Sequence, residues 1–429
     1  MVKKIICLFL SLALTIFASG CSSTQKGETS IDKVSDEKIT LTLLIDGGDY
    51  LESDVKKALK DIPGYGEKFD VNITYVAQNM DNQKEVREGA LQNARLDLVS
   101  GGGADVYICA CTSGFELQLM KKGTFTYPES AMRLGYFLPL DNYIKNAQFM
   151  DWDNMFPQVM AAGKNQEEQL LIPLTFKIFA SLYDKEKYER PDSFPITYQE
   201  QCASEDPSIK IASRGAVDSF GVALGALVDY SSDKLTFSET ELQQYVESTL
   251  SCKLAEDMEF RESIGFIEPG VLIEPDQAVR FPDKQSGGKQ QDYIMIPTYN
   301  RTGGVTAYVT SYAAVNRNTK YPEYAFSIVD RLAGKDMQQK FMFGRGMPVN
   351  MELGKKGEGL GETNWYLTDW NYNQYQWVCS QVNEVEFCTE LNVILCQLIS
   401  DCYYETDAKK REALVSKAYS QMEMIVGEV

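Results

Sequence analysis

Residues 39–50, ITLTLLIDGGDY, run from a β-branched apolar stretch (Ile39 to Ile45) into a small polar loop, Asp46-Gly47-Gly48-Asp49. That is the pattern of a strand buried on both faces and closed by a tight turn. A helix is expected from Ser53 to Asp61, a second strand over Val71–Val76 (VNITYV), and a second helix over Lys84–Val99, where Val86, Ala90, Leu91, Ala94 and Leu98 recur at helical spacing. Gly101-Gly102-Gly103 punctuates the chain before a third strand, Ala104–Ala110 (ADVYICA). Strand, helix, strand, helix, strand implies a mostly parallel sheet covered on its faces, with ligands beyond the carboxyl ends of the strands. Those ends are Asp46-Gly47-Gly48-Asp49, Gln78-Asn79 and Cys111-Thr112-Ser113-Gly114. The triple glycine precedes a strand and lacks a following Gly-Lys-Ser/Thr, so it fits a turn and not a phosphate cradle.

Further along, Gln169 to Tyr183 (QLLIPLTFKIFASLY) is a long apolar stretch of extended character. Val305 to Val315 (VTAYVTSYAAV) is a second. It leads to a helix with Pro322 in its first turn, an apolar stripe at Ala325, Ile328, Val329 and Leu332, and Gly334 beyond its end. The remainder is helical in pattern. Leu391, Ile394, Leu395, Leu398 and Cys402 share one face, as do Val415, Tyr419, Met422 and Val426.

The chain has 429 residues, enough for two or three domains with substantial cores. Its 42 Lys and Arg against 61 Asp and Glu give a formal charge of −19, which argues against a phosphate backbone as partner; no nucleic acid is expected. There is no histidine, so histidine-dependent zinc sites and Ser-His-Asp arrangements are excluded. No motif calls for a cofactor or a metal. A hydrolase of this composition would depend on carboxylates, Cys or Lys.

Lys3 and Lys4 precede an apolar run, Ile5 to Phe17, that reaches only ~20 Å as a helix against a ~30 Å hydrocarbon core. Residues 1–20 therefore fit a signal peptide. Ala18-Ser19-Gly20 before Cys21 resembles a bacterial lipobox, in which the cysteine is acylated and becomes the mature N-terminus; an ordinary signal peptide cut nearby is the alternative. Residues 21–38 would then be the lipidated tether, holding an acidic body at the outer face of the cell membrane. Of ten cysteines, Cys7 and Cys21 fall in these segments, and the other eight are too sparse for a disulfide scaffold. Cys109 and Cys111 share a strand face, and Cys388, Cys396 and Cys402 lie on helical patterns where buried free thiols are the default.

Four segments carry a family resemblance: ITLTLLIDGGDY; GGGADVYICACTSG; EQLLIPLTFKIFASLYDKEKY; and VTAYVTSYAAVNRNTKYPEYAFSIVDRLAGKDMQQKF, followed by Gly346-Met347-Pro348-Val349. In this order they resemble an extracellular solute-binding protein of an ABC importer, in the carbohydrate-binding group typified by maltose-binding protein. The resemblance implies an α/β, two-lobe periplasmic-binding-protein-like fold with three inter-lobe crossings, near Thr175–Phe179, Ala307–Tyr312 and Met347–Val349, and a helical C-terminal region. It implies an N-terminal lobe of residues 39–176 plus 308–347 and a C-terminal lobe of residues 177–307 plus 348–429. It also implies a monomer that passes a small solute, a sugar or oligosaccharide, to a membrane permease.

A sugar offers hydroxyl groups to polar side chains and C–H faces to aromatic rings. Three of the four tryptophans fall in NWYLTDWNYNQYQW (364–377). Tyr366, Trp370 and Trp377 fall on one helical face, equally consistent with a core stripe, whereas Trp365 and Tyr372 lie off it. The expected ligand set is Trp365, Trp370 and Tyr372 from this segment, Asp46, Asp49, Thr112 and Ser113 from the first lobe, Phe176 at the first crossing, and Tyr299 and Arg301 near the second. Two other readings compete with a sugar receptor. One is an exported glycosidase working with two carboxylates; the other is the same fold binding a polyamine, a peptide or a metal chelate.

Overall fold

The computed structural model describes residues 38–47, 49–77, 84–110, 123–190, 194, 197–213, 221–251, 271–272, 292–340, 346–360 and 366–427. Strands β1 (Ile39–Gly47), β2 (Phe69–Ala77) and β3 (Val106–Ala110) are mutually parallel, with β1 between the other two. Their connecting helices are Asp49–Leu59 and Lys84–Val99. The first begins four residues earlier than its apolar spacing indicates, because the turn after β1 is shorter: a Cβ on Gly47 would lie 2.5 Å from Leu51 Cδ2. A side chain there would have to displace the end of the Leu51 side chain.

Next come two hairpin pairs of two-residue strands, β4 (Lys164–Asn165) with β5 (Glu168–Gln169) and β8 (Val228–Asp229) with β9 (Lys234–Leu235). Between them lie β6 (Leu171–Lys177) and β7 (Phe179–Asp184). The apolar stretch 169–183 is therefore two strands of different sheets, and Ile178 marks the passage between them. The large sheet runs β13-β6-β12-β3-β1-β2, where β12 is Val305–Val315 and β13 is Met347–Pro348; β14 (Val382–Phe387) joins it alongside β12. The small sheet, β10 (Val271–Leu272), β7 and β11 (Tyr293–Pro297), is antiparallel.

β12 connects two neighbourhoods. Its second half, Ser311–Val315, lies antiparallel between β3 and β6, and its first half, Val305–Val309, pairs parallel with β14. All eleven residues are buried, so apolar side chains are needed on both faces. The third passage uses Gly346: a Cβ there would come within 2.8 Å of Phe176 O and 2.4 Å of Thr310 Oγ1, so any side chain would push β13 off β6.

One core joins the large sheet to its helices, and Met295, Tyr375 and Val378 extend it towards the small sheet. A second, smaller core packs Leu242, Tyr245 and Val246 of the Glu239–Ser251 helix against Leu391, Leu395, Leu398 and Cys402 of Glu390–Tyr404 and against Val415, Met422 and Val426 of Ala408–Gly427. Each fully buried Leu, Val or Met contributes about 1.5–3 kcal/mol relative to exposure. Ile394 and Tyr419, expected on those faces, are only half buried; Ile399 and Ala418 take the buried places. Cys109, Cys202, Cys379 and Cys402 are buried, and Cys388 and Cys396 are half buried. No helix of the described residues is long and apolar enough to cross a membrane.

Candidate functional site

Asp46, at the carboxyl end of β1, is 1 % exposed. Its Oδ1 accepts from Arg87 Nη2 at 2.7 Å, and its Oδ2 accepts from Thr124 N at 2.7 Å and Thr124 Oγ1 at 3.0 Å. The carboxylate expected to meet a ligand is thus bound internally. It clamps the Lys84–Val99 helix and the 123–124 segment to the end of β1. Asp49 opens the following helix. Thr112, Ser113, Gln78, Asn79 and Cys111, expected at the neighbouring strand ends, lie outside the described residues, as do Cys21 and Trp365.

The aromatic segment forms the helix Asp369–Ser380, capped by Thr368, whose hydroxyl accepts from Asn371 N. Tyr366 precedes that helix, so the face expected from Tyr366, Trp370 and Trp377 does not form; the buried face is Asn371, Gln374, Tyr375, Val378 and Cys379. The reason is the open edge of β11. Asn371 Oδ1 accepts from Tyr293 N at 2.7 Å, Gln374 Oε1 from Met295 N at 3.4 Å, and Trp370 Nε1 donates to Tyr293 O at 2.7 Å. Side-chain amides and an indole replace the missing neighbouring strand. The Trp370 ring also lies 3.5 Å from Lys185 Nζ, an arrangement that favours the cation. Tyr372 donates its hydroxyl to Met351 O. Trp377 stacks near Phe194, 5.3 Å between centroids, under the Arg190 guanidinium at 4.1 Å.

At the passages between sheets, Phe176 is buried edge-on against Phe156 at 5.2 Å. Arg301 donates through Nε to Leu224 O at 2.9 Å and through Nη2 to Thr236 O at 2.8 Å, which ties the turn before β12 to the second hairpin. Tyr299 is 3 % exposed, and burial pushes its phenol up to about 12. Phe176, Arg301, Trp370 and Tyr372 thus have packing or hydrogen-bonding duties inside the fold. A tight hydroxyl cluster marks the first crossing: Thr175 Oγ1 lies 2.8 Å from Thr310 Oγ1 and 2.6 Å from Ser311 Oγ, next to the buried Lys177.

A different group, absent from the sequence expectations, brings together distant parts of the chain. Tyr127 and Glu129 flank Pro128 at the start of the Pro128–Arg133 helix. Tyr230 comes from the second hairpin, Glu386 from β14, and Glu390 from the first turn of the helix after it. The Tyr127 hydroxyl donates to Glu390 Oε1 at 2.9 Å. Burial pushes the Glu129 carboxyl up to about 7, against the opposing effect of the nearby Tyr230 hydroxyl and Phe387 N. Glu386 accepts from Leu227 N; burial, with the like charges of Glu129 and Glu384 added, holds its carboxyl well above the usual range. Burial and the neighbouring carboxylates raise the Tyr230 phenol as well. Arg133 pairs with Asp233 at 2.7 Å and donates to Tyr230 O. Beside the group opens a cavity of about 440 Å³ lined by Arg95, Phe125, Tyr127, Ser130, Tyr136 and Glu390 among others. Carboxyls, phenols, aromatic faces and a cavity can recognise a small polar solute. The available signals were Tyr-Pro-Glu at a helix start and the alternating Glu384 and Glu386 in VNEVEF, which share one strand face.

No protein-family model matches the chain, and no curated protein does. Solved structures do. An extracellular solute-binding protein family 1 from Alicyclobacillus acidocaldarius superposes with a TM-score of 0.55 at 14 % identity, over 91 % of this chain and 99 % of that one. The sugar-binding protein MalE from Xanthomonas citri gives 0.57 at 13 %, over 91 % and 98 %. A periplasmic oligogalacturonide-binding protein from Yersinia enterocolitica gives 0.54 at 11 %, over 91 % and 99 %. The chain has the mixed α/β fold of these two-lobe proteins.

Proposed function

We propose that this fold serves here as an extracellular receptor that captures a small solute, a sugar or oligosaccharide, by closure of two lobes, and delivers it to the permease of an ABC importer. The observation that carries this reading is the likeness to solute-binding proteins over nine-tenths of the chain and nearly all of each partner. The lobes are residues 39–176 plus 308–347 and residues 177–307 plus 348–429. Tyr127, Glu129, Tyr230, Glu386 and Glu390 are then the groups that face one another across their boundary. Acylation of Cys21 anchors the protein, a monomer, to the outer face of the membrane, with residues 22–38 as its tether. The N-terminal sequence supports this part of the reading.

The receptor binds without chemistry. A glycosidase needs one carboxyl protonated and the other ionised. At Glu129 and Glu386 burial pushes both carboxyls in the same direction, towards the protonated form. Among the described residues no group of three His, Cys, Asp or Glu is placed to hold a metal.

The test is a thermal-shift screen of residues 22–429 against mono- and oligosaccharides, amino sugars, polyamines and peptides. A receptor gains stability with ligand concentration by mass action, about 2.7 kcal/mol at a hundred times Kd. Absence of any shift across the panel, or steady hydrolysis of a glycoside, contradicts the reading.

A further inference from the structure

We infer that the cavity lined by Arg95, Ser130 and Glu390 selects a sugar acid, a solute that joins a carboxylate to hydroxyl groups, over the corresponding neutral sugar. This rests on the receptor reading above and names the solute class that the cavity takes.

The cation in the cavity wall points to it first. Arg95 lies on the Lys84–Val99 helix and lines the cavity. Its Nε donates to Thr124 O at 2.7 Å and its Nη2 to Gly123 O, so two backbone carbonyls hold one edge of the guanidinium. Those bonds use two of its five N–H groups. The end-on fork, one hydrogen from Nη1 and one from Nη2, meets no acceptor among the described residues. Arg87, Arg133, Arg301, Arg331 and Arg411 each pair with a carboxylate. Arg95 does not. The carboxylate that acts on it, Asp46, has both oxygens committed to Arg87 and Thr124. Burial lowers the Arg95 guanidinium, Asp46 opposes that, and Arg87 adds to it. An anion at the open fork relieves this cost.

A second observation marks the cavity as a place for a ligand. Ser130 is 5 % exposed and lines the cavity, and its Oγ has no partner among the described residues. Buried polar atoms are nearly always satisfied, so this hydroxyl is kept for something that enters. The walls then narrow the class. At about 440 Å³ the cavity has the size of a small-solute site, and Phe125, Tyr127 and Tyr136 give it aromatic surface. Glu390 also lines it and accepts from the Tyr127 hydroxyl. Among the described residues no ion pair joins Glu390 to Arg95, so the two charges stand apart. An occupant must therefore present an anion at one point and hydrogen-bond donors at another. A sugar acid does both. Its carboxylate fits the fork with two parallel bonds, its hydroxyls can donate to Glu390, and its C–H face suits the rings. A neutral sugar leaves the fork unpaired.

The experiment is calorimetric titration of residues 22–429 at pH 7 with matched pairs, glucuronate with glucose and galacturonate with galactose, and with glutamine as a zwitterion lacking hydroxyls. The expected result is at least tenfold tighter binding of a sugar acid than of its neutral partner. Arg95→Gln should remove that preference. Ser130→Ala leaves the bonds of Arg95 intact and should weaken the acid several-fold; it decides the matter if the first variant does not fold, because unchanged affinity in it places the ligand elsewhere. A neutral sugar that binds as tightly as its acid, glutamine that binds more tightly than either acid, or a preference that survives in Arg95→Gln overturns the inference and leaves the receptor reading intact. If none of these probes binds while another solute does in the thermal-shift screen, the inference is upheld when that solute joins a carboxylate to hydroxyl groups and loses affinity in Arg95→Gln, and is overturned otherwise. If nothing binds in either experiment, both readings fall.

Discussion

The Tyr127 hydroxyl donates to Glu390 Oε1 at 2.9 Å, joining residues 263 positions apart: one precedes the Pro128–Arg133 helix, the other begins the C-terminal helical core. If the two move apart when the receptor opens, the bond is made only in the closed form. Tyr127→Phe should then weaken capture several-fold while the unliganded protein loses no more than about 0.5–1.5 kcal/mol, the usual net worth of one hydrogen bond. Parallel titration and chemical unfolding check both halves of that expectation.

The pH dependence of stability follows from Glu129. Its carboxyl ordinarily titrates at 4.5 and is raised to about 7 by burial, in contact with Tyr230 and beside Glu386, itself raised. Between those values the folded chain holds a proton that the unfolded chain releases, so this contribution is complete below about pH 4.5 and is lost as pH rises towards 7. Urea midpoints at a series of pH values should fall across that window in the unliganded protein. Glu129→Gln, which cannot ionise, should flatten the fall.

Asp46 and Arg87 form a pair with each side chain only 2 % exposed. Removing one partner strands the other charge, a loss of about 3–5 kcal/mol. Asp46→Ala should therefore lower the unfolding midpoint sharply, with solute affinity preserved in whatever fraction remains folded. Equal loss of affinity in folded protein would restore Asp46 as a ligand residue.

Trp370 separates two roles through two substitutions. Trp370→Phe deletes the N–H that serves Tyr293 O and leaves that carbonyl buried, for about 1–3 kcal/mol. Trp370→Ala also deletes the ring that covers the small-sheet edge and should cost more. Neither should change affinity beyond what stability explains, as melting temperature and titration together would show.

For the anchor, Cys21→Ser expressed in a bacterium should move the protein from the membrane fraction to the soluble fraction. Unchanged membrane association contradicts acylation at that position.

The parallel βαβ start was legible because a two-face-buried strand and an amphipathic helix leave different periods in the sequence; Lys84–Val99 and Val305–Val315 form at the bounds their patterns indicate. The division of 169–183 at Ile178 was not, since a continuous apolar run looks the same whether it serves one sheet or two. The aromatic helix misled for a related reason. Helical spacing shows which residues share a face, but the buried face was decided by the exposed edge of β11, whose N–H groups needed Asn371 and Gln374 more than the core needed Trp370. The carboxyl–phenol group was least legible of all. Tyr127, Tyr230 and Glu386 are contributed by three separate segments, and ordinary Tyr and Glu acquire meaning only when the fold removes them from water together.

Small-angle X-ray scattering of residues 22–429, with and without a saturating solute from the screen, tests capture by closure most directly. The radius of gyration should decrease on saturation and return when the solute is dialysed away. A radius that stays the same in fully liganded protein would contradict lobe closure and leave only a rigid binding surface.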